Sequence, residues 1–138
     1  MECRSGLQTV LVTRLELWTA TGGDPVDAWL DANLDLAAAA LDRLDGFDTT
    51  QLWLDNDGTR LGVAGGPDRF FVGYVEASGA TYEARDLGSE GTGAEIIIGG
   101  QPTSLPATHL VSRAAALGAV SRFVTDGVRS PDLHWVRD

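Results

Sequence analysis

The spacing of apolar residues changes along the chain, and each spacing predicts an element. Residues 8–18 alternate apolar and polar side chains and are rich in β-branched residues, so we expect a strand there. From Val26 to Leu44 the apolar residues recur every three or four positions behind a cap-like Asp24-Pro25, which predicts a helix over 25–44. On such a helix an acidic stripe would face solvent, formed by Asp27, Asp31 and Asp35.

The middle of the chain consists of short segments with strand character, separated by glycine-rich turns. Asn56-Asp57-Gly58 lies between the first two segments, and Asp-Gly is a strong signal for a hairpin turn. Strands that follow one another so closely pair antiparallel through hairpins. The predicted strands cover residues 51–55, 60–64, 69–76, 80–86 and 95–98.

Residues 94–110, AEIIIGGQPTSLPATHL, begin as a strand and then pass through two glycines and two prolines. We interpret this stretch as a connector to a second helix that Thr108 caps and Asp126-Gly127 ends, with a last strand over 133–136. The order of elements predicts a single α+β domain over 1–138. Its antiparallel sheet is expected to be mostly a meander of about six strands with both helices on one face.

The net charge of the chain limits the kinds of molecule that it is expected to bind. The chain has 20 acidic residues against 10 basic ones, all of them arginine, for a net charge of −10. A surface of this sign disfavours direct contact with nucleic acid and favours a basic partner. No apolar run approaches the ~20 residues of a membrane span, and the N-terminal pattern is too charged for a signal peptide, so a cytoplasmic location is expected.

No motif for catalysis or for metal binding is found in the sequence. The glycine clusters do not match a nucleotide-binding fingerprint, and Asp55-Asn56-Asp57-Gly58 lacks the later acidic ligand of a calcium loop. Cys3 is the only cysteine, so the zinc ligands of nucleic-acid deaminases are missing. We therefore expect neither a metal nor another cofactor, and we assign Trp18, Trp29 and Trp135 to the core.

The C-terminal third carries a recognisable series of features. A strand ends in Ile98-Gly99-Gly100, Leu105-Pro106 precedes an amphipathic helix, and that helix closes with Arg122-Phe123-Val124-Thr125-Asp126-Gly127 before Ser130-Pro131 and Trp135. This series resembles the bacterial immunity proteins of polymorphic toxin systems, in particular family one of the Imm series. The central hairpins fit the same family more loosely.

The resemblance implies an antitoxin, which is not an enzyme. Such a protein binds a cognate secreted toxin domain, often a nucleic-acid deaminase or nuclease, and occludes its active site. An acidic inhibitor suits the basic substrate groove that such a toxin needs. We expect carboxylates on the central hairpins and loops to make the contact, with two aromatic anchors; the candidate residues are Trp53, Asp55, Asp57, Glu76, Tyr82, Glu83, Asp86, Glu90 and Glu95.

Two other classes of function remain open from the sequence. One is a small enzyme or ligand-binding domain with a pocket between the sheet and the second helix, for which Glu95, His109 and His134 are the candidate residues. The other is a scaffold or a subunit of a homo-oligomer, which would leave a hydrophobic sheet edge exposed.

Overall fold

The computed structural model describes residues 12–19, 27–98 and 100–137, and these ranges contain ten strands and two α-helices. In chain order the elements are β1 (Val12–Thr19), β2 (Asp27–Ala32), α1 (Leu34–Asp42), β3 (Thr49–Asn56), β4 (Thr59–Gly65), β5 (Arg69–Val75), β6 (Thr81–Arg85), β7 (Ala94–Ile98), β8 (Gln101–Leu105), one turn of 3₁₀ helix (Ala107–His109), β9 (Val111–Ser112), α2 (Arg113–Asp126) and β10 (His134–Arg137).

One large antiparallel sheet organises the molecule. Its strands lie in the order β10-β6-β5-β4-β3-β1-β2, and the short β9 pairs with the first residues of β5. Strands β7 and β8 form a separate two-stranded sheet. The α+β class is confirmed, and the structure contains more strands than the sequence predicted.

The core lies between the two helices and one face of the large sheet. Alternate residues of β1, β3, β4 and β5 point to that side, and α1 and α2 contact each other above it. Burying each large apolar side chain contributes about 1.5–3 kcal/mol, so this layer stabilises the fold. The largest fully buried side chains include Leu15, Leu17, Leu41, Leu52, Leu54, Leu61, Val63, Phe70, Val72 and Phe123.

The central hairpin forms as the sequence predicts. Asp57 and Gly58 connect β3 to β4 with φ angles of 50° and 93°. Two successive residues in the left-handed region are what a tight hairpin turn requires, and an Asp-Gly pair supplies them at low cost. The end of the second helix was also predicted, since Gly127 adopts a φ of 72° and donates its N–H to the Phe123 carbonyl at 2.8 Å.

The predicted first helix over 25–44 is wrong in its first half. Residues Asp27–Ala32 form the edge strand β2, which pairs with β1 so that Trp29 lies opposite Leu15. Asn33 caps the shorter helix α1, and its side-chain oxygen accepts the N–H of Leu36 at 2.9 Å. The helical acidic stripe is therefore absent, because two of its members lie on β2 and one in the first turn of α1. Asp24-Pro25 lies outside the described residues.

The segment 94–110 contains regular secondary structure and is not a simple connector. Gln101–Leu105 is strand β8, which forms a hairpin with β7 and places Pro102 opposite Ile97. Thr108 lies in the 3₁₀ turn and does not cap α2. Ser112 does so, since its hydroxyl oxygen accepts the N–H of Ala115 at 3.1 Å.

Candidate functional site

The face of the large sheet that points away from the helices carries polar residues and glycines. Glu16, Trp53, Gly62, Gly73 and Glu83 lie side by side in one row across β1, β3, β4, β5 and β6. The hairpin β7–β8 packs on only one end of this face, and neither α1 nor α2 contacts it. We call this row, together with the neighbouring row of Arg14, Asp55 and Arg60, the open face.

Trp53 lies at the centre of the open face because the residue beside it is a glycine. A Cβ atom at Gly62 would come within 2.7–3.0 Å of three ring atoms of Trp53, which is too close for any other residue without movement of the ring. The guanidinium of Arg60 lies 4.3 Å from the centre of the indole ring on the same face. The indole is thus held between the sheet and an arginine, half-buried and preformed.

Four charged side chains around Trp53 form one network. Arg14 Nε contacts Glu16 Oε2 at 2.6 Å, and Arg60 Nη2 lies 3.7 Å from Glu16 Oε1. Arg60 Nε also donates to Asp55 Oδ1. The two arginines balance the two carboxylates, so the network contributes little net charge and mainly fixes the position of the ring.

The carboxylates of Asp57 and Glu76 lie at one end of the large sheet, on two adjacent turns. Asp57 is in the β3–β4 turn and Glu76 opens the β5–β6 turn; a Cβ at Gly58 would lie 3.4 Å from the Cβ of Ala77. Neither carboxylate is within ion-pair distance of a basic side chain in the described part of the chain. We call Asp57, Gly58, Glu76 and Ala77 the turn end; it adjoins the open face at Asp55.

The structure brings together five of the nine candidate residues. Trp53, Asp55 and Glu83 belong to the open face, and Asp57 and Glu76 to the turn end. Glu83 forms an ion pair with Arg85 at 2.9 Å. The other four candidates lie elsewhere, since Tyr82 packs against the core, Asp86 and Glu90 are exposed in the loop after β6, and Glu95 is exposed on β7.

Sequence reasoning missed the basic residues and the glycine that hold Trp53. Arg14 and Glu16 alternate with the buried Leu15 and Leu17, so their position on the open face could have been inferred from the period of two in β1. The role of Gly62 depends on the register between β3 and β4, which a local pattern does not reveal. The assignment of Trp18 to the core is wrong, because its neighbour Leu17 takes the buried side of β1 and the Trp18 indole N–H donates to Glu16 at 3.4 Å.

Histidines and carboxylates do not converge on a metal site in the described residues. No group of three or more His, Cys, Asp or Glu side chains comes together there. Glu95, His109 and His134, the candidates for a ligand pocket, lie on β7, the 3₁₀ turn and β10. None of them lines the cleft around Tyr74 and Trp135 or the cleft around Ser121 and Thr125. No helix in the described ranges has the length and hydropathy of a membrane span.

The described residues thus form a small α+β fold with a tryptophan fixed on one face of the sheet and two nearby carboxylates that have no ion-pair partner among them. The family model described as "Immunity protein Imm1" matches residues 16–137. The chain therefore belongs to the Imm1 family of immunity proteins, and the resemblance seen in the sequence is confirmed. A comparison with curated proteins gives no match.

Proposed function

We propose that this immunity protein binds one cognate secreted toxin domain and neutralises it by covering the toxin's active site, without catalysis of its own. The observation that carries the proposal is membership of the Imm1 family over residues 16–137. The surface that we assign to the contact is the open face with the adjoining turn end. Trp53 supports this choice because interface hot spots are enriched in tryptophan and cluster in preformed central positions.

The charge of the molecule supports a toxin with a basic substrate groove, such as a nucleic-acid deaminase or nuclease. The net charge of −10 would attract such a groove, and the carboxylates of Asp57 and Glu76 are not neutralised within the described structure. Asp55 and Glu83 are already paired with arginines, so their carboxylates add less net attraction. In this proposal Trp53 supplies most of the binding energy, and the turn-end carboxylates supply attraction and orientation.

The proposal predicts that a toxin gene lies next to the gene of this protein, and the test starts from that gene. The toxin domain is expressed with and without this protein, and its activity on its substrate is measured in both preparations. We expect the two proteins to co-purify and the toxin to lose activity. A toxin that shows full activity in the presence of excess immunity protein would disprove the proposal.

A further inference from the structure

A cleft of about 380 Å³ lies where the loop after α2 crosses β5 and β10. Its walls combine two aromatic rings, two apolar side chains and two charged groups of opposite sign. The residues are Tyr74, Trp135, Val128, Pro131, Arg129 and Glu76, together with Ser130. The cleft lies on the helix side of the large sheet, opposite the open face, and it meets the surface that we assign to the toxin at Glu76 of the turn end.

Tyr74 brings an unpartnered hydroxyl group to this cleft. Its side chain is only 7% exposed, and its ring lies 6.2 Å from the rings of Phe123 and Trp135. The hydroxyl makes no hydrogen bond with any described residue. Burial, together with the carboxylate of Glu76, raises the pKa of Tyr74, so the group remains a hydrogen-bond donor at neutral pH. A hydroxyl group without a hydrogen-bond partner among the described residues is available to a ligand that enters the cleft.

Arg129 presents an unneutralised guanidinium group on the same side. Its central carbon lies 3.8 Å from the ring centre of Tyr82 and 5.6 Å from that of Tyr74. No carboxylate of the described residues lies within ion-pair distance of it. Six other arginines do have such partners: Arg14, Arg43, Arg60, Arg85, Arg113 and Arg122. The chain has twice as many acids as bases, yet within its described part this arginine contacts aromatic rings and forms no ion pair.

We propose that the cleft receives one carboxylate of the cognate toxin, bound by the hydroxyl of Tyr74 and the guanidinium of Arg129. The inference rests on the proposed function, since the toxin is the source of the carboxylate. Both groups donate hydrogen bonds, and a guanidinium matches a carboxylate in shape and charge. Trp135, Val128 and Pro131 supply apolar walls for the stem that carries the carboxylate.

The polarity of this contact is opposite to that of the turn end, where carboxylates face outward. A partner must therefore present a basic region and one acidic group at the correct separation. Such an arrangement fixes the orientation of the complex and discriminates against toxins that lack the acidic group. The carboxylate of Glu76 also lines the cleft and repels an incoming carboxylate, so binding depends on the guanidinium of Arg129.

The variant Tyr74→Phe separates a binding role of the hydroxyl from a structural role. Because the hydroxyl has no hydrogen-bond partner among the described residues, we expect its removal to leave the melting temperature unchanged or to raise it. The affinity for the toxin should fall about tenfold, the effect of losing one hydrogen bond to a charged group. The matched control is Ser121→Ala, which removes a hydroxyl from a second cleft of about 330 Å³ and should change neither quantity.

The contribution of Arg129 is tested by Arg129→Gln, with Arg122→Gln as the control because Arg122 is already paired with Asp126 at 2.7 Å. We expect only Arg129→Gln to lower the affinity for the toxin, by about tenfold or more.

The sign of the ligand's charge is tested on the free protein by following the Trp135 indole signal in NMR spectra. Phenylacetate should shift this signal saturably in the wild type and not in Arg129→Gln, whereas phenethylammonium should not shift it.

The outcomes distinguish the two proposals. If the wild type binds no toxin, the proposed function fails. If the wild type binds and inhibits the toxin while Tyr74→Phe and Arg129→Gln bind it equally well, only the carboxylate site fails. A loss of both stability and affinity in Tyr74→Phe, or a saturable shift with phenethylammonium alone, would also overturn the carboxylate site.

Discussion

At the scale of single residues, the open face depends on one glycine next to one tryptophan. The indole of Trp53 occupies the space that a Cβ at Gly62 would need, while Gly73 in the next strand has room for one, with its nearest neighbour, a ring carbon of Phe71, at 3.8 Å. The two glycines thus lie side by side in the same row and have different roles. This contrast provides a matched pair of substitutions.

We predict that Gly62→Ala displaces the Trp53 ring and lowers the free energy of unfolding by about 1–3 kcal/mol, the usual range for overpacking. Gly73→Ala should change it by less than about 0.5 kcal/mol. Urea denaturation followed by the fluorescence of tryptophan measures both values. Equal effects of the two substitutions would show that the contact between Trp53 and Gly62 does not constrain the ring.

A second prediction at this scale concerns binding. Trp53→Ala should weaken the complex with the toxin by about thirtyfold or more, since a hot-spot tryptophan contributes about 2 kcal/mol or more. Phe47→Ala is the control, because Phe47 is 77% exposed on the loop between α1 and β3, away from the open face. Calorimetric titration gives both affinities. A larger loss for Phe47→Ala than for Trp53→Ala would place the interface elsewhere.

At the scale of elements, the sequence predicted those parts that local signals define. The hairpin β3–β4 follows from Asp57-Gly58, and the end of α2 follows from Gly127, because in both cases one or two residues determine the backbone. Strand β2 was missed since its apolar residues also fit a helical period. Residues 27–32 form a strand because they pair with β1. This pairing is a long-range effect, and it outweighs the local helical propensity.

In the candidate site, too, local sequence signals identify some residues, and only the pairing of distant strands identifies the others. Trp53, Asp55 and Glu83 could be proposed from residue type and from their place in predicted hairpins. Arg60 and Gly62 could not, because their importance arises from neighbours on other strands. Which residues of neighbouring strands lie side by side is known only from the register of the sheet, and the register is set by the whole fold.

The loop between α1 and β3 provides a prediction about pH. Asp45 Oδ1 accepts the backbone N–H groups of Phe47 and Asp48 at 2.9 Å and of Thr49 at 3.2 Å. These bonds, that from Phe47 above all, hold the pKa of Asp45 below its ordinary value. A lowered pKa in the folded state means that the stabilisation is present above the unfolded pKa of about 4 and is lost as the pH falls through the folded value.

We therefore expect wild type to be more stable than Asp45→Asn at neutral pH, and this difference to shrink steadily below about pH 4. Thermal unfolding across the acid range measures it. Asp48→Asn removes the same charge from a carboxylate that accepts no hydrogen bond from a described residue, so it controls for the change in net charge. A stability difference for Asp45→Asn that stays constant down to low pH would contradict the role of the carboxylate.

At the scale of the whole molecule, the excess of acidic residues is the dominant feature. A net charge of −10 on 138 residues creates a field that reaches beyond any single contact and attracts a basic partner from solution. We predict that the association rate with the toxin falls by about tenfold or more from low to high salt, with a smaller change in the dissociation rate. Stopped-flow fluorescence separates the two rates, and an association rate independent of salt would show that charge does not guide the encounter.

The measurement that tests the central claim most directly is a titration of toxin activity with this protein. The account predicts that activity on the toxin's own substrate falls linearly as immunity protein is added and disappears near an equimolar ratio. Trp53→Ala should shift that curve to higher concentrations. Full toxin activity at a large molar excess of folded wild-type protein would contradict the account.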